Sequence, residues 1–84
     1  MWFEECPMDD QGLVRPVITE SGALVLMCDT GGEVWLEPDA IASQKPVVPT
    51  APEWTVHRNV HVKSGTTRWA TVDELPREWP DPRS

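Results

Sequence analysis

The chain has no tyrosine, a single phenylalanine, two cysteines and seven basic residues in 84. Each shortage closes a class of function. Two thiols cannot close a four-thiolate metal tetrahedron or build a multi-bridge disulfide framework. Seven bases against fourteen acids, net -7, leave no basic footprint of the kind that phosphate affinity demands, so DNA and RNA are not expected partners. No segment reaches the ~20 apolar residues of a membrane span. The start, Met1-Trp2-Phe3-Glu4-Glu5, lacks the basic region and apolar run of a signal peptide, so a cytoplasmic location with reduced thiols is the expectation. There is no phosphate-binding glycine loop, no G-x-G-x-x-G and no G-x-S-x-G, which removes the common nucleotide and nucleophile-elbow sites.

What is present is tryptophan, proline and acid. A chain of this length buries only about two-thirds of its unfolded surface, and small domains need a staple or unusually large core side chains. With tyrosine absent, five tryptophans are expected to supply much of that burial. The acids are unevenly placed. Through Ala40 nine acids (Glu4, Glu5, Asp9, Asp10, Glu20, Asp29, Glu33, Glu37, Asp39) face one base, Arg15, for a charge of -8; the remainder carries +1. A concentrated negative field steers association with basic surfaces.

The pattern predicts a mainly β chain, a small α+β fold of two antiparallel hairpins with one or two short helical turns. Residues 13–19 and the apolar run Ala23–Cys28 read as paired strands around a turn at Glu20-Ser21-Gly22. Asp29-Thr30-Gly31-Gly32 makes the next turn. In Glu33–Glu37, Val34 and Leu36 share one face, and Glu33, Trp35 and Glu37 the other. Pro38–Ala42 predicts one helical turn. Residues 43–53 form a proline-rich linker, with Pro46, Pro49 and Pro52 favouring extended backbone. Trp54–Lys63 alternates as one strand, interrupted at Arg58, and Ser64-Gly65 returns the chain into a partner strand over 66–72, with Trp54 and Trp69 facing each other. Thr71 and Glu74 form a capping box ahead of Pro76. The end from Pro80 to Ser84 is expected to fray. The three stretches 1–42, 43–53 and 54–84 are read as parts of a single domain.

Candidate chemistry centres on the cysteines. Cys6-Pro7-Met8-Asp9 and Cys28-Asp29-Thr30-Gly31 each have the form of a C-x-x-C knuckle whose second thiolate is replaced, by Asp9 and by Gly31. Cys6, Asp9 and Cys28 are the possible metal ligands, since carboxylate oxygen also binds zinc. The preferred reading is two buried or half-buried free thiols with no metal bound; a Cys6–Cys28 disulfide is the remaining state open to the pair. His57 and His61 have helix-type ligand spacing, but on one strand they stand ~13 Å apart, so at most one joins the cysteines. Neither has a nucleophile or orienting acid nearby, and no catalytic residue is assigned. Glu4-Glu5, Asp9-Asp10 and Asp73-Glu74 read as surface, turn and helix-start acids. Trp35, flanked by Glu33 and Glu37, has two readings: a packed ring beneath the proline linker, or the anchor of a charged-rim binding surface.

Cys6-Pro7, Cys28-Asp29 with Gly32, Val34-Trp35-Leu36 and Trp69-Ala70-Thr71 together resemble small zinc-ribbon-like proteins of bacteria, most closely over residues 2–42. The resemblance implies a ribbon-like scaffold serving as a non-catalytic adaptor. The expected function is a non-enzymatic, acidic protein-binding module for a basic protein, in the manner of an immunity protein or antitoxin that neutralises a toxin. Its binding residues would be Asp29, Glu33, Trp35, Glu37 and Asp39, with no cofactor. The alternative is a metal-dependent regulatory or redox module built on Cys6, Asp9 and Cys28.

Overall fold

Strands Leu13–Ile18 (β2) and Leu24–Cys28 (β3) are the centre of the molecule, and the remaining elements attach to their edges or cover their faces. The computed structural model describes residues 1–8, 11–58, 60–63 and 65–83. Among these, seven short strands dominate and helix is confined to two brief turns, so the chain is mainly β.

The β2–β3 hairpin forms where expected. Gly22 adopts φ +89°, a left-handed conformation that side chains resist. The Thr19 hydroxyl accepts the Ala23 amide at 3.1 Å, which closes the turn. Glu4–Glu5 (β1) pairs antiparallel with the first part of β2, and Val34–Trp35 (β4) with β3. The turn between β3 and β4 uses Gly32 at φ +78°. Asp29 fixes this corner: its carboxylate accepts the Leu13 amide at 2.9 Å and the Arg15 guanidinium at 2.9 Å.

Both faces of this sheet are covered. On one, Val14, Leu26, Cys28 and Trp35 pack with Phe3, Cys6, Ala40 and Ile41, and Leu75 and Trp79 close over them. Ala40 and Ile41 belong to the single helical turn Ala40–Ser43 (α1). On the other face, Val17, Val25 and Val34 meet Val56 and Val62. Alternation in β4 therefore holds, but neither side of it faces water: Val34 and Trp35 are both buried, and the strand ends before exposed Leu36.

The second half departs from expectation. Trp54–Lys63 is not one strand. Thr55–His57 (β5) and Val60–His61 (β6) pair with each other, with Arg58 in the reversal between them. Arg58 is also the residue that interrupts the alternation. Folding back lets Val56 and Val62 both reach the valines of the sheet, and that apolar burial favours the short hairpin over an extended strand. Arg68–Trp69 (β7), instead of pairing with this segment, adds to the free edge of β2, with Val17 opposite Trp69. Trp54 and Trp69 consequently do not face each other across a hairpin. Gly65 does turn the chain, at φ +91°. Ser64 of that turn, Asn59 of the alternating stretch and Ser84 lie outside the described residues.

A stretch expected to be an extended spacer without regular hydrogen bonding and a tail expected to fray are both tied down. Within the proline-rich stretch, Val47 exchanges two backbone hydrogen bonds with Val34, at 2.8 and 2.9 Å. Near the carboxyl end, Arg83 exchanges two with Trp2, at 2.9 and 2.7 Å, and its guanidinium lies 5.2 Å from the Trp2 ring. Trp79 meets Phe3 edge to face at 5.7 Å. The capping box also forms: Glu74 accepts the Thr71 amide at 2.9 Å at the start of a 3-10 turn, Val72–Glu74.

Candidate functional site

The β1–β2 and β2–β3 pairings carry Cys6 and Cys28 to the same end of the sheet, where the amide of Cys28 bonds to the carbonyl of Glu33 at 2.9 Å. Glu33 shares the sheet face of Cys28 and Trp35, and its carboxylate turns toward the sulfurs. The two Sγ atoms and a Glu33 oxygen all lie within 4.8 Å of one another. Both cysteines are free and buried, at 5% and 1% exposure. Oε1 of Glu33 is buried without a hydrogen-bond partner among the described residues.

Space for this cluster is made by glycine. A Cβ on Gly12 would stand 2.5 Å from the Thr30 hydroxyl and 2.6 Å from the Cys28 sulfur, and one on Gly31 would collide with the Glu33 carboxylate. In the Cys28 turn the Gly31 amide donates to Cys28 Sγ at 3.4 Å, and the Thr30 hydroxyl lies 3.4 Å from the same sulfur. The two thiols are shifted in opposite directions. Burial pushes Cys6 up to about 11, aided by the hydrogen bond it gives to Cys28 and by the negative charges of Cys28 and Glu33, with the Met8 amide opposing. Burial also works to raise Cys28, but hydrogen bonds from Cys6, from the Thr30 hydroxyl and from the Gly31 and Thr30 amides outweigh it and lower its pKa. Such a pair can serve as soft metal ligands or be joined by oxidation.

Of the three residues the sequence offers as ligands if a metal binds at all, Cys6 and Cys28 come together, while Asp9 lies outside the described residues. Glu33 was the residue missed. Its place on the strand face is legible in the sequence, which assigns it to partner binding rather than to the cysteines. Neither histidine belongs to the cluster. They stand on opposite strands of the β5–β6 hairpin. His61 donates from Nδ1 to the Glu53 carbonyl at 2.8 Å and lies 3.2 Å from the Thr55 hydroxyl.

The residues expected to bind a partner do not form one surface. Trp35 is core, 2% exposed, and its indole N–H donates to the Gln44 carbonyl at 3.3 Å. It therefore packs beneath the start of the proline-rich stretch, and the solvent-facing anchor expected of it is not formed. Asp29 is engaged with Leu13 and Arg15, and Glu33 with the cysteine cluster. Glu37 and Asp39 remain exposed. Asp39 instead joins Glu4 and Asp81 around a cleft of about 190 Å³ that Phe3, Pro38, Pro80 and Arg83 also line. None of these three carboxylates forms an ion pair among the described residues, whose ion pairs are Arg15–Asp29 and Arg68–Glu74.

A larger apolar groove of about 320 Å³ lies between Met27, Val48, Trp54 and Val62 and has no titratable side chain in its lining. Trp54 sits there at φ +58°, an unusual conformation for a bulky residue. Among the described residues, no helix is long and apolar enough to cross a membrane. Comparison of the chain with protein-family models, curated proteins and solved structures gives no match.

Proposed function

We propose that this protein is a non-catalytic, acidic binding module that recognises a basic segment of another protein, acting as an immunity- or antitoxin-type inhibitor of a basic toxin. The observation that carries this reading is the cleft in which Glu4, Asp39 and Asp81 converge from three separate segments. Three carboxylates in a cleft also lined by Phe3, Pro38 and Pro80 suit a lysine or arginine side chain, whose methylene stem packs on apolar surface while its charge meets carboxylate. Arg83 occupies one border, but its guanidinium is stacked on Trp2, leaving the carboxylates in excess. The surrounding half of the chain, at -8, supplies the field that accelerates such an encounter.

The binding surface is thus Glu4, Asp39 and Asp81, with Glu37 beside them in sequence. An arginine-rich hexapeptide is a suitable probe, followed by amide chemical shifts at low and high salt. Shifts concentrated at Glu4, Asp39 and Asp81, reduced by salt and lost in the triple variant Glu4→Gln, Asp39→Asn, Asp81→Asn, are expected. Shifts spread evenly over the acidic half, or unchanged in the variant, would refute the cleft as the anchor.

A further inference from the structure

We propose that Cys6, Cys28 and Glu33 hold a divalent, thiolate-preferring cation of the zinc class, tying β1, β3 and β4 together at one end of the sheet.

Three independent features support it. The first is the donor set: two sulfurs and a carboxylate oxygen within 4.8 Å of one another. Two thiolates on one tetrahedral zinc stand about 3.8 Å apart, given Zn–S distances near 2.3 Å, so a movement of about an ångström at most closes the site. The second is Glu33 Oε1, buried with no donor to satisfy it among the described residues. An unpaired buried carboxylate oxygen is costly, and a cation shared with two thiolates removes that cost. The third is steric: Gly12 and Gly31 are both positions where a side chain would intrude on the ligands.

The donor types select the ion. Magnesium and calcium prefer oxygen cages, whereas two thiolates with one carboxylate favour zinc or its spectroscopic substitute cobalt. Binding displaces the thiol protons to solvent and leaves a fourth position for water or one further donor. Because the two cysteines are buried, Glu33 is half-buried and the three come from separate segments, the ion acts as a staple for a chain whose size calls for one. This role is separate from the acidic cleft, and either proposal can fail without the other.

The test is a Co²⁺ titration of reduced, chelator-stripped full-length protein, read by absorption, with Zn²⁺ added at the end. A thiolate-to-cobalt charge-transfer band that saturates at one equivalent and is erased by Zn²⁺ is expected. Cys28→Ser should abolish it. Glu33→Gln, which keeps the side-chain shape, should weaken Co²⁺ binding by more than about tenfold, the loss that even outer-shell partners of a metal cause. Absence of the band in the reduced parent protein would overturn the proposal without recourse to any variant. Equal Co²⁺ affinity in Glu33→Gln and the parent would overturn it as well.

Discussion

At the scale of single residues, environment decides what each acid does. Fourteen carboxylates share one formal charge, yet Asp29 is a brace, Glu33 faces sulfur and Glu74 completes a cap. Glu74 is held down to about 2, first by the two hydrogen bonds from the Arg68 guanidinium, at 2.7 and 2.6 Å, and then by the Thr71 amide. A depressed carboxylate contributes stability that is fully present above its unfolded pKa and is lost as pH falls through its folded one. For Glu74 that window runs from the ordinary carboxylate range down to about 2. Carboxyl carbon shifts should therefore show Glu74 titrating near the bottom of this range, and Arg68→Gln should return its midpoint toward that of a free side chain. A parent midpoint already in the ordinary range would contradict the ion pair. Residue-scale reading also explains what sequence could and could not reveal of the cysteine cluster. The two knuckle-like turns brought Cys6 and Cys28 together on paper. Glu33 escaped because period-two alternation states which neighbours share a face and is silent on what covers that face.

Among elements, the same limit explains the second half of the chain. β3 was legible because an unbroken apolar run between turn residues has few other solutions, and β2 because its apolar residues precede the Glu20-Ser21-Gly22 turn that leads into that run. The stretch from Trp54 to Lys63 alternates equally well as one long strand or as two short ones. Tertiary packing made the choice: Val56 and Val62 bury against Val17, Val25 and Val34 only when the segment doubles back. Val62→Ala is accordingly expected to cost about 2 kcal/mol in urea unfolding, the price of lost methyl burial plus a residual cavity, and to speed amide exchange across β5 and β6. His57→Ala, on the exposed side of that hairpin, should stay within about 0.5 kcal/mol of the parent. Equal losses from the two substitutions would mean that the hairpin does not use Val62 as its contact with the sheet.

For the whole molecule, charge acts in two opposing senses. A net -7, with only two ion pairs among the described residues, makes the folded chain repel itself. Raising salt from about 0.01 M to about 0.15 M shortens the screening length from about 30 to about 8 Å and should raise Tm by a few degrees. The same change should weaken association with a basic peptide, which depends on the unscreened field. Scanning calorimetry and a binding titration in matched buffers would read both. A Tm insensitive to salt would show that the acids are balanced by contacts within the fold.

The doubly covered sheet has one more consequence. In a sheet with a wet side, sliding a strand by one position exposes its apolar residues, and that penalty guards the alignment. Here Val34 and Trp35 are both buried, so polarity alone discriminates poorly between the correct alignment of β4 and its neighbours. The guard passes to the corners: Gly22 and Gly32, whose left-handed backbones set where each strand begins, and the Asp29 carboxylate, which locks Leu13 to the turn after Cys28. Alignment in this protein is kept by its punctuation rather than by its hydrophobic pattern.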